Sequence, residues 1–238
     1  MKILAIDTSS KICSVAVLDD KDLLMEKHTD DGTTHSQRLM PMIDEILKQC
    51  NLQLVDFDLF ACDIGPGSFT GVRIGVSTVK AFCDVTNIPT TAINSLEGLA
   101  YNTLDSNFKN DAKIVCSMID AKNDNVYCGI FKRNDDDTFA KLEDLSAKNI
   151  NEILNDLSKY SSLPILWVGD GALYHKYTIL ESFSKSTFVE KELNDQSSIS
   201  IGKAGFDKYN QGLYGDSGTI SPLYLRKSQA ERSLEGDK

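Results

Sequence analysis

Basic residues are in short supply: 25 Lys and Arg stand against 35 Asp and Glu, a formal net charge of −10. A protein that grips nucleic acid by itself shows a basic excess or a basic stripe. The chain has neither, so in any RNA pathway most phosphate contacts must come from another molecule. Long apolar runs are missing too. No stretch approaches the ~20 residues that cross a bilayer. Met1-Lys2 runs straight into a short strand ending on an acidic residue, unlike a secretory signal. The six cysteines (13, 50, 62, 83, 116, 128) contain no C-x-x-C pair and sit mostly in apolar runs. That pattern reads as reduced, buried thiols of a cytosolic protein and argues against disulfide or metal chemistry. The hydrophobic fraction of 41% with a single Trp is ordinary for a globular chain. At this length it suffices for one large domain or two lobes.

What the sequence does hold is an unusual glycine stretch, Gly65-Pro66-Gly67-Ser68-Phe69-Thr70-Gly71-Val72-Arg73-Ile74-Gly75. It follows Leu59-Phe60-Ala61-Cys62, which reads as a buried strand, and Ser68 or Thr70 can cap a helix running to about Cys83. A Walker loop would need Lys and Ser or Thr after its last glycine, where Gly71 is followed by Val72-Arg73. The dinucleotide fingerprint fails on the spacing of its third glycine. A nucleophile elbow fails as well, since the residues around Ser68 are not Gly-x-Ser-x-Gly. Gly67, Gly71 and Gly75 are four apart and share one face of a continuous turn and helix. Glycine inside a helix costs up to ~1 kcal/mol against alanine, so two of them need a packing reason. The spacing suggests a close helix seam, within the chain or between subunits.

Along the chain, residues 2–7 predict a strand ending at Asp7. Cys13 to Leu18 and Leu23 to Lys27 complete an antiparallel meander, and a helix follows from about Thr34 to Cys50 with Pro41 expected to kink it. Next come a strand at 58–63, the glycine helix, a strand at Thr90–Ile93 and a helix capped by Ser95. Near residue 113 the pattern restarts. Lys113 to Asp120 is again an apolar strand ending in Asp; a polar hinge, a returning strand (Val126 to Phe131), a third strand (Phe139–Leu142) and a helix from Ile150 to Leu157 follow. Ile165–Val168 then enters Gly169-Asp170-Gly171-Ala172. Two copies of β-β-β-α-β-α imply two lobes of one topology. We place the N-terminal lobe at 1–108 and the C-terminal lobe at 109–194. A late helix at about 195–212 packs on the first lobe in this reading, and 213–238 is a charged tail.

Duplicated β-β-β-α-β-α lobes resemble the α/β actin/Hsp70/sugar-kinase superfamily, which is ribonuclease H-like. More narrowly, the chain resembles the bacterial TsaB (YeaZ) family. The matching stretches are Ile3-Leu4-Ala5-Ile6-Asp7-Thr8, His35…Leu39-Met40-Pro41, Gly65–Gly75, Ile119-Asp120-Ala121-Lys122 with Val126-Tyr127, and Pro222-Leu223-Tyr224-Leu225-Arg226. The resemblance implies a non-catalytic scaffold subunit of the complex that transfers threonylcarbamoyl to adenosine 37 of tRNAs reading ANN codons. It implies pairing with a TsaD-like catalytic subunit through helices 34–50 and 69–84, and self-pairing as a homodimer in isolation. A TsaE-like ATPase joins, tRNA is met only within the complex, no membrane is involved, and the location is cytoplasmic.

The expected partner interface is His35, Leu39, Ile43, Gly67, Gly71, Val72, Arg73, Gly75 and Val76. A bulky residue at Gly71 or Gly75 is expected to abolish association while leaving the monomer folded. The superfamily likeness also puts weak nucleotide-binding residues at Asp7, Thr8, Ser9, Asp120, Gly169 and Gly171; Asp7 and Asp120 either face each other across a cleft or, as the favoured reading, each accept hydrogen bonds from their own hairpin. The hairpin after Asp7 lacks glycine, which disfavours a productive ATP site in this chain alone. No cofactor is therefore assigned to it, and ATP or ADP is left to the assembled complex. TsaD-like proteins carry a His-x-x-x-His pair on the first helix, whereas position 39 here is Leu, so no metal site is expected. The rival reading is a standalone ATP-dependent phosphotransferase of the sugar-kinase type; a peptidase has no visible nucleophile–base pair or metal dyad.

Overall fold

Strand β1 (Lys2–Asp7) is buried from Ile3 onward, as an apolar run must be when helices cover both faces of its sheet. It pairs antiparallel with β2 (Cys13–Asp19), Ile6 opposite Val15, and β2 pairs with β3 (Asp22–Thr29). On its other edge β1 runs parallel to β4 (Leu59–Asp63), Ala5 opposite Ala61, and β4 parallel to β5 (Thr90–Ile93). The order is β3-β2-β1-β4-β5. In the computed structural model, residues 1–30, 34–104 and 112–226 are described. The expected lobe boundary at 108/109 and the tail beyond 226 lie outside them.

Two helices cover one face of this sheet. Helix α1 (His35–Cys50) turns Leu39, Met42, Ile43 and Ile46 inward, and α2 (Phe69–Thr86) turns in Val72, Val76 and Val79. They meet Leu4, Ile6, Val15 and Phe60 in one apolar cluster. Helix α1 runs unbroken through Pro41, which sits on its exposed side. Helix α3 (Ser95–Asn102) is capped not by Ser95 but by Asn94, whose side chain accepts from Glu97 N at 2.9 Å and donates to Glu97 Oε2 at 3.0 Å. Ser95 is the first helical residue and points down into the sheet.

The second sheet repeats the plan. Strands β6 (Ile114–Asp120), β7 (Asn125–Arg133) and β8 (Phe139–Lys141) form the meander, and β10 (Ile165–Val168) and β11 (Ser186–Phe188) extend it in parallel. The order β11-β10-β6-β7-β8 matches the first sheet position for position. Strand β9 (Ser146–Asn149) also pairs with β7 and is an addition to the repeat. Polar Ser146-Ala147-Lys148-Asn149 gives no apolar alternation, and Ser186-Thr187-Phe188 is three residues long, so neither strand is legible from pattern. Helices α4 (Ile150–Asp156), α5 (Asp170–Tyr174) and α6 (Lys176–Ser182) complete this lobe.

Helix α7 (Ser198–Asn210) covers the other face of the first sheet. Its Ile201 and Ala204 pack among Ile3, Ala5, Leu18 and Ala61. The lobes are joined through α3: Leu96, Leu99 and Ala100 share a cluster with Val115, Ile119, Phe131 and Leu166 of the second sheet.

Candidate partner-binding site

The glycine stretch is positioned by the end of β4 and the start of α2. Ser68 caps the helix, its Oγ accepting from Gly71 N at 3.1 Å. What the bare backbone faces corrects the intersubunit reading of these glycines. A Cβ on Gly67 would collide with the Ser9 carbonyl, one on Gly71 with the Thr8 carbonyl, and one on Gly75 with the Thr8 hydroxyl. The same turn is stitched to the stretch by hydrogen bonds. Ser68 N donates to Ser9 O at 2.6 Å, and Thr8 Oγ1 donates to Gly71 O at 2.8 Å. The seam is therefore intramolecular, made with the β1–β2 turn, which takes up the bare side of Gly67, Gly71 and Gly75. Val72 and Val76 are 2% and 3% exposed and belong to the core, as do Leu39 and Ile43 at 1% each. They recur at helical spacing, and the face they share meets the chain's own sheet.

Beneath the turn lies a pair of buried acids. Asp7 and Asp63, at the ends of adjacent parallel strands, are each 1% exposed. Ser9 Oγ donates to Asp7 Oδ1 at 2.8 Å and also lies 3.1 Å from Asp63 Oδ2. One hydroxyl hydrogen cannot serve both contacts, so a carboxyl must bring its own proton. Burial raises both carboxyls, and the charge of Asp7 adds to burial in holding Asp63 well above the ordinary carboxylate range. The stronger upward push falls on Asp63. Its Oδ1 accepts from Gly65 N at 2.6 Å and from Ser95 Oγ at 2.7 Å, which ties β4, the glycine stretch and α3 to one side chain.

This geometry separates the expected nucleotide residues. Asp7, Thr8 and Ser9 are 1–2% exposed beneath α2. Asp120 instead belongs to the β6–β7 hairpin, where Lys122 Nζ donates to its Oδ2 at 2.6 Å and Lys122 N to its Oδ1 at 2.8 Å. Each acid thus accepts hydrogen bonds from its own hairpin, Ser9 N donating to Asp7 Oδ1 at 2.9 Å, and Asp7 has Asp63 as its buried neighbour. Gly169 and Gly171 are also spent internally: a Cβ on either would strike the backbone of Met118 or of Ile119 and Asp120. Asp170 Oδ1 accepts from Asp120 N at 3.0 Å. His35 Nε2 donates to Ser10 O at 2.7 Å and so pins the start of α1 to the same turn.

On the outside, α1 and α2 lie side by side and leave a groove. Its walls are Ser36 and Met40 from α1 and Thr70, Arg73, Ile74 and Ser77 from α2, over a floor that includes Leu39. Met40 is 50% exposed, a large apolar side chain in water on a helix that otherwise keeps its apolar residues inside. Of the expected interface residues, Arg73 stands exposed on this surface and Leu39 lies buried at its floor, with His35 half-buried at the neighbouring helix end. Met40, Ile74, Ser36 and Thr70 escaped the interface prediction. Met40 and Ile74 could have been found as apolar residues lying off each helix's inward stripe.

Residues 29–233 match a family model described as TsaD, tRNA N6-adenosine threonylcarbamoyltransferase. Among curated proteins, the chain is 29% identical over 235 residues to the tRNA threonylcarbamoyladenosine biosynthesis protein TsaB of Bacillus subtilis, covering 97% of this chain and 96% of that one. It is 32% identical over 169 residues to TsaB of Buchnera aphidicola subsp. Schizaphis graminum, covering 71% of this chain and 78% of that one. The chain belongs to the TsaB (YeaZ) family. Among solved structures, YeaZ from Pseudomonas aeruginosa superposes with a TM-score of 0.75 at 24% identity, over 94% of this chain and 99% of that one. ROK hexokinase from Thermus thermophilus does so at 0.50 and 11% identity, over 88% and 100%. The fold of this TsaB-family chain is thus the sugar-kinase-like one. Among the described residues no helix is long and apolar enough to cross a membrane, and no cluster of three His, Cys, Asp or Glu could hold a metal ion.

Two expectations follow. Gly71→Ala and Gly75→Ala will each destabilise the isolated chain by about 1–3 kcal/mol in urea unfolding, while Ser77→Ala on the outer side of α2 will change little. Wild-type stability in the two glycine variants would refute the intramolecular seam. The acid pair sets a pH dependence. A raised carboxyl holds its proton in the folded chain after the unfolded chain has lost it, so its stabilising share is present in acid and fades as pH climbs through the raised value. Asp63→Asn is neutral at every pH. As pH rises above the ordinary carboxylate range its unfolding free energy should gain on wild type, by at most about 1.4 kcal/mol per pH unit. A constant difference over that rise would mean that Asp63 does not carry the proton.

Proposed function

We propose that the chain is the non-catalytic scaffold subunit of the tRNA threonylcarbamoyladenosine machinery. It docks a TsaD-like catalytic subunit on the α1–α2 groove and supports threonylcarbamoyl transfer to adenosine 37 of tRNAs reading ANN codons. The observation that carries this reading is the contrast between the two sides of the same helix pair. The inner side is locked onto the β1–β2 turn by backbone contact, which removes the open hairpin that a phosphotransferase would need, whereas the outer side leaves Met40 in water with Ile74 half-buried beside it. A rigid backing with exposed apolar residues suits docking rather than turnover.

The rest of the assembly follows from the family. A TsaE-like ATPase joins, nucleotide is held at the assembled complex, tRNA is contacted only there, and the isolated chain self-associates through the same groove in the cytoplasm. The excess of acid over base agrees with a subunit that leaves phosphate contacts to others.

Met40→Glu, which places a charge on the exposed groove wall, and Ile74→Glu, at a half-buried wall position and checked by its unfolding midpoint, should abolish co-purification with the TsaD-like subunit. They should also remove modified nucleoside from a reconstituted reaction in which each subunit is omitted in turn. If both variants co-purify and support modification like wild type, the groove is not the docking site. Tight ATP binding by the isolated chain in calorimetry would instead favour the phosphotransferase.

A further inference from the structure

The groove is headed by a feature of the C-terminal segment. After the second lobe the chain returns to the first, where Leu223 N donates to Ile64 O at 2.7 Å beside the glycine turn. Tyr224 then lies flat on Phe69, the first residue of α2, with ring centroids 4.1 Å apart and planes 6° apart. Its hydroxyl accepts from Arg73 Nε at 2.6 Å, and the Arg73 guanidinium sits 5.1 Å from the Phe69 ring and 5.5 Å from the Tyr224 ring. One residue further, Leu225 packs on the interlobe cluster, and Arg226 donates to Ala121 O at 3.1 Å on the opposite lobe. The segment is thus fastened on both sides of Tyr224. It is a built part of the surface.

The arrangement constrains one side chain in particular. A free arginine on a helix surface spends several rotatable bonds to make any contact, but here two aromatic faces and a hydroxyl fix the guanidinium. The hydrogen bond to Tyr224 uses Nε. Among the described residues no carboxylate pairs with Arg73, which leaves the two terminal amino groups for an incoming acceptor. Among the described residues Arg73 is also the sole charged one lining the groove, in a chain whose overall charge has the opposite sign.

We propose that Arg73 is the specificity-determining cation of the groove, that it takes a carboxylate from an acidic side chain on the TsaD-like partner, and that Tyr224 is the positioning residue that holds it. The proposal rests on the docking role assigned to this groove and adds the chemistry of what docks. A planar guanidinium with both terminal amino groups free matches a carboxylate bidentately. A second copy of this chain would bring the same cation on its own groove and no acid from those walls, so the charge favours the heterologous partner over self-pairing.

The test is a titration of full-length wild type, Arg73→Ala, Tyr224→Ala, Tyr224→Phe, the Arg73→Ala/Tyr224→Ala double variant and Met40→Glu against the full-length TsaD-like subunit, at low and high salt. Unfolding midpoints of the variants serve as a check on folding. Arg73→Ala should weaken binding about tenfold at low salt, with the gap shrinking at high salt. Tyr224→Ala should cause most of the same loss, and the double variant no more than Arg73→Ala alone, because both act through one contact. Tyr224→Phe, which keeps the stack and loses the hydroxyl, should fall between wild type and Tyr224→Ala. Normal binding by Arg73→Ala alongside lost binding by Met40→Glu would overturn the cation assignment and leave the docking site standing. Normal binding by Met40→Glu would remove the docking site itself. Additive losses in the double variant would overturn the positioning role of Tyr224. A loss by Arg73→Ala confined to self-association would overturn the choice of partner.

Discussion

Everything about this molecule's outer surface depends on one backbone contact, the pressing of the glycine stretch onto the turn between the first two strands. That contact needs three positions without side chains at a four-residue spacing, and it places a helix start where an open hairpin would otherwise be. The hairpin residues Thr8 and Ser9, the buried pair Asp7 and Asp63, and the cap of α2 are all consequences of it. In energetic terms the glycines cost helix propensity. They recover it through hydrogen bonds made at short range under a roof that excludes water.

The same contact decides what becomes of the first hairpin in this sugar-kinase-like fold. The two lobes keep matching sheet orders, yet their first hairpins have opposite fates. The first is sealed under α2, while the second keeps Asp120 at the surface with Lys122 closed over it. A duplicated chain has therefore diverged at its two corresponding sites, one becoming a structural rivet and the other a salt-bridged hairpin. The proposed docking surface lies on the far side of the helices that did the sealing.

Much of this was legible beforehand. The repeat could be read because both copies begin with an apolar strand ending in Asp and pass through a polar turn. The helices could be read because Leu39, Ile43, Ile46, Val72 and Val76 recur at helical spacing. The direction of the bare glycine face could not be read. Periodicity says which residues share a face, but not whether that face meets a neighbouring molecule or the chain's own turn, and here the partner, Ser9 and Thr8, lies some sixty residues away in sequence. Asp63 was missed for a related reason, since a lone acid after an apolar strand gives no sign that it will be buried beside another. Tyr224 was noticed only as part of a tail motif; its stack on Phe69 joins residues from opposite ends of the chain.

Helix α7 closes the back of the first sheet although it is encoded after the whole second lobe. During synthesis the opening strands are made early, yet their rear face, with Ile3, Ala5 and Leu18, stays uncovered until residues near 204 have left the ribosome. The N-terminal third of the chain is consequently an incomplete object on its own. The order of the genetic message obliges the second lobe to be finished before the first can be dry on both sides.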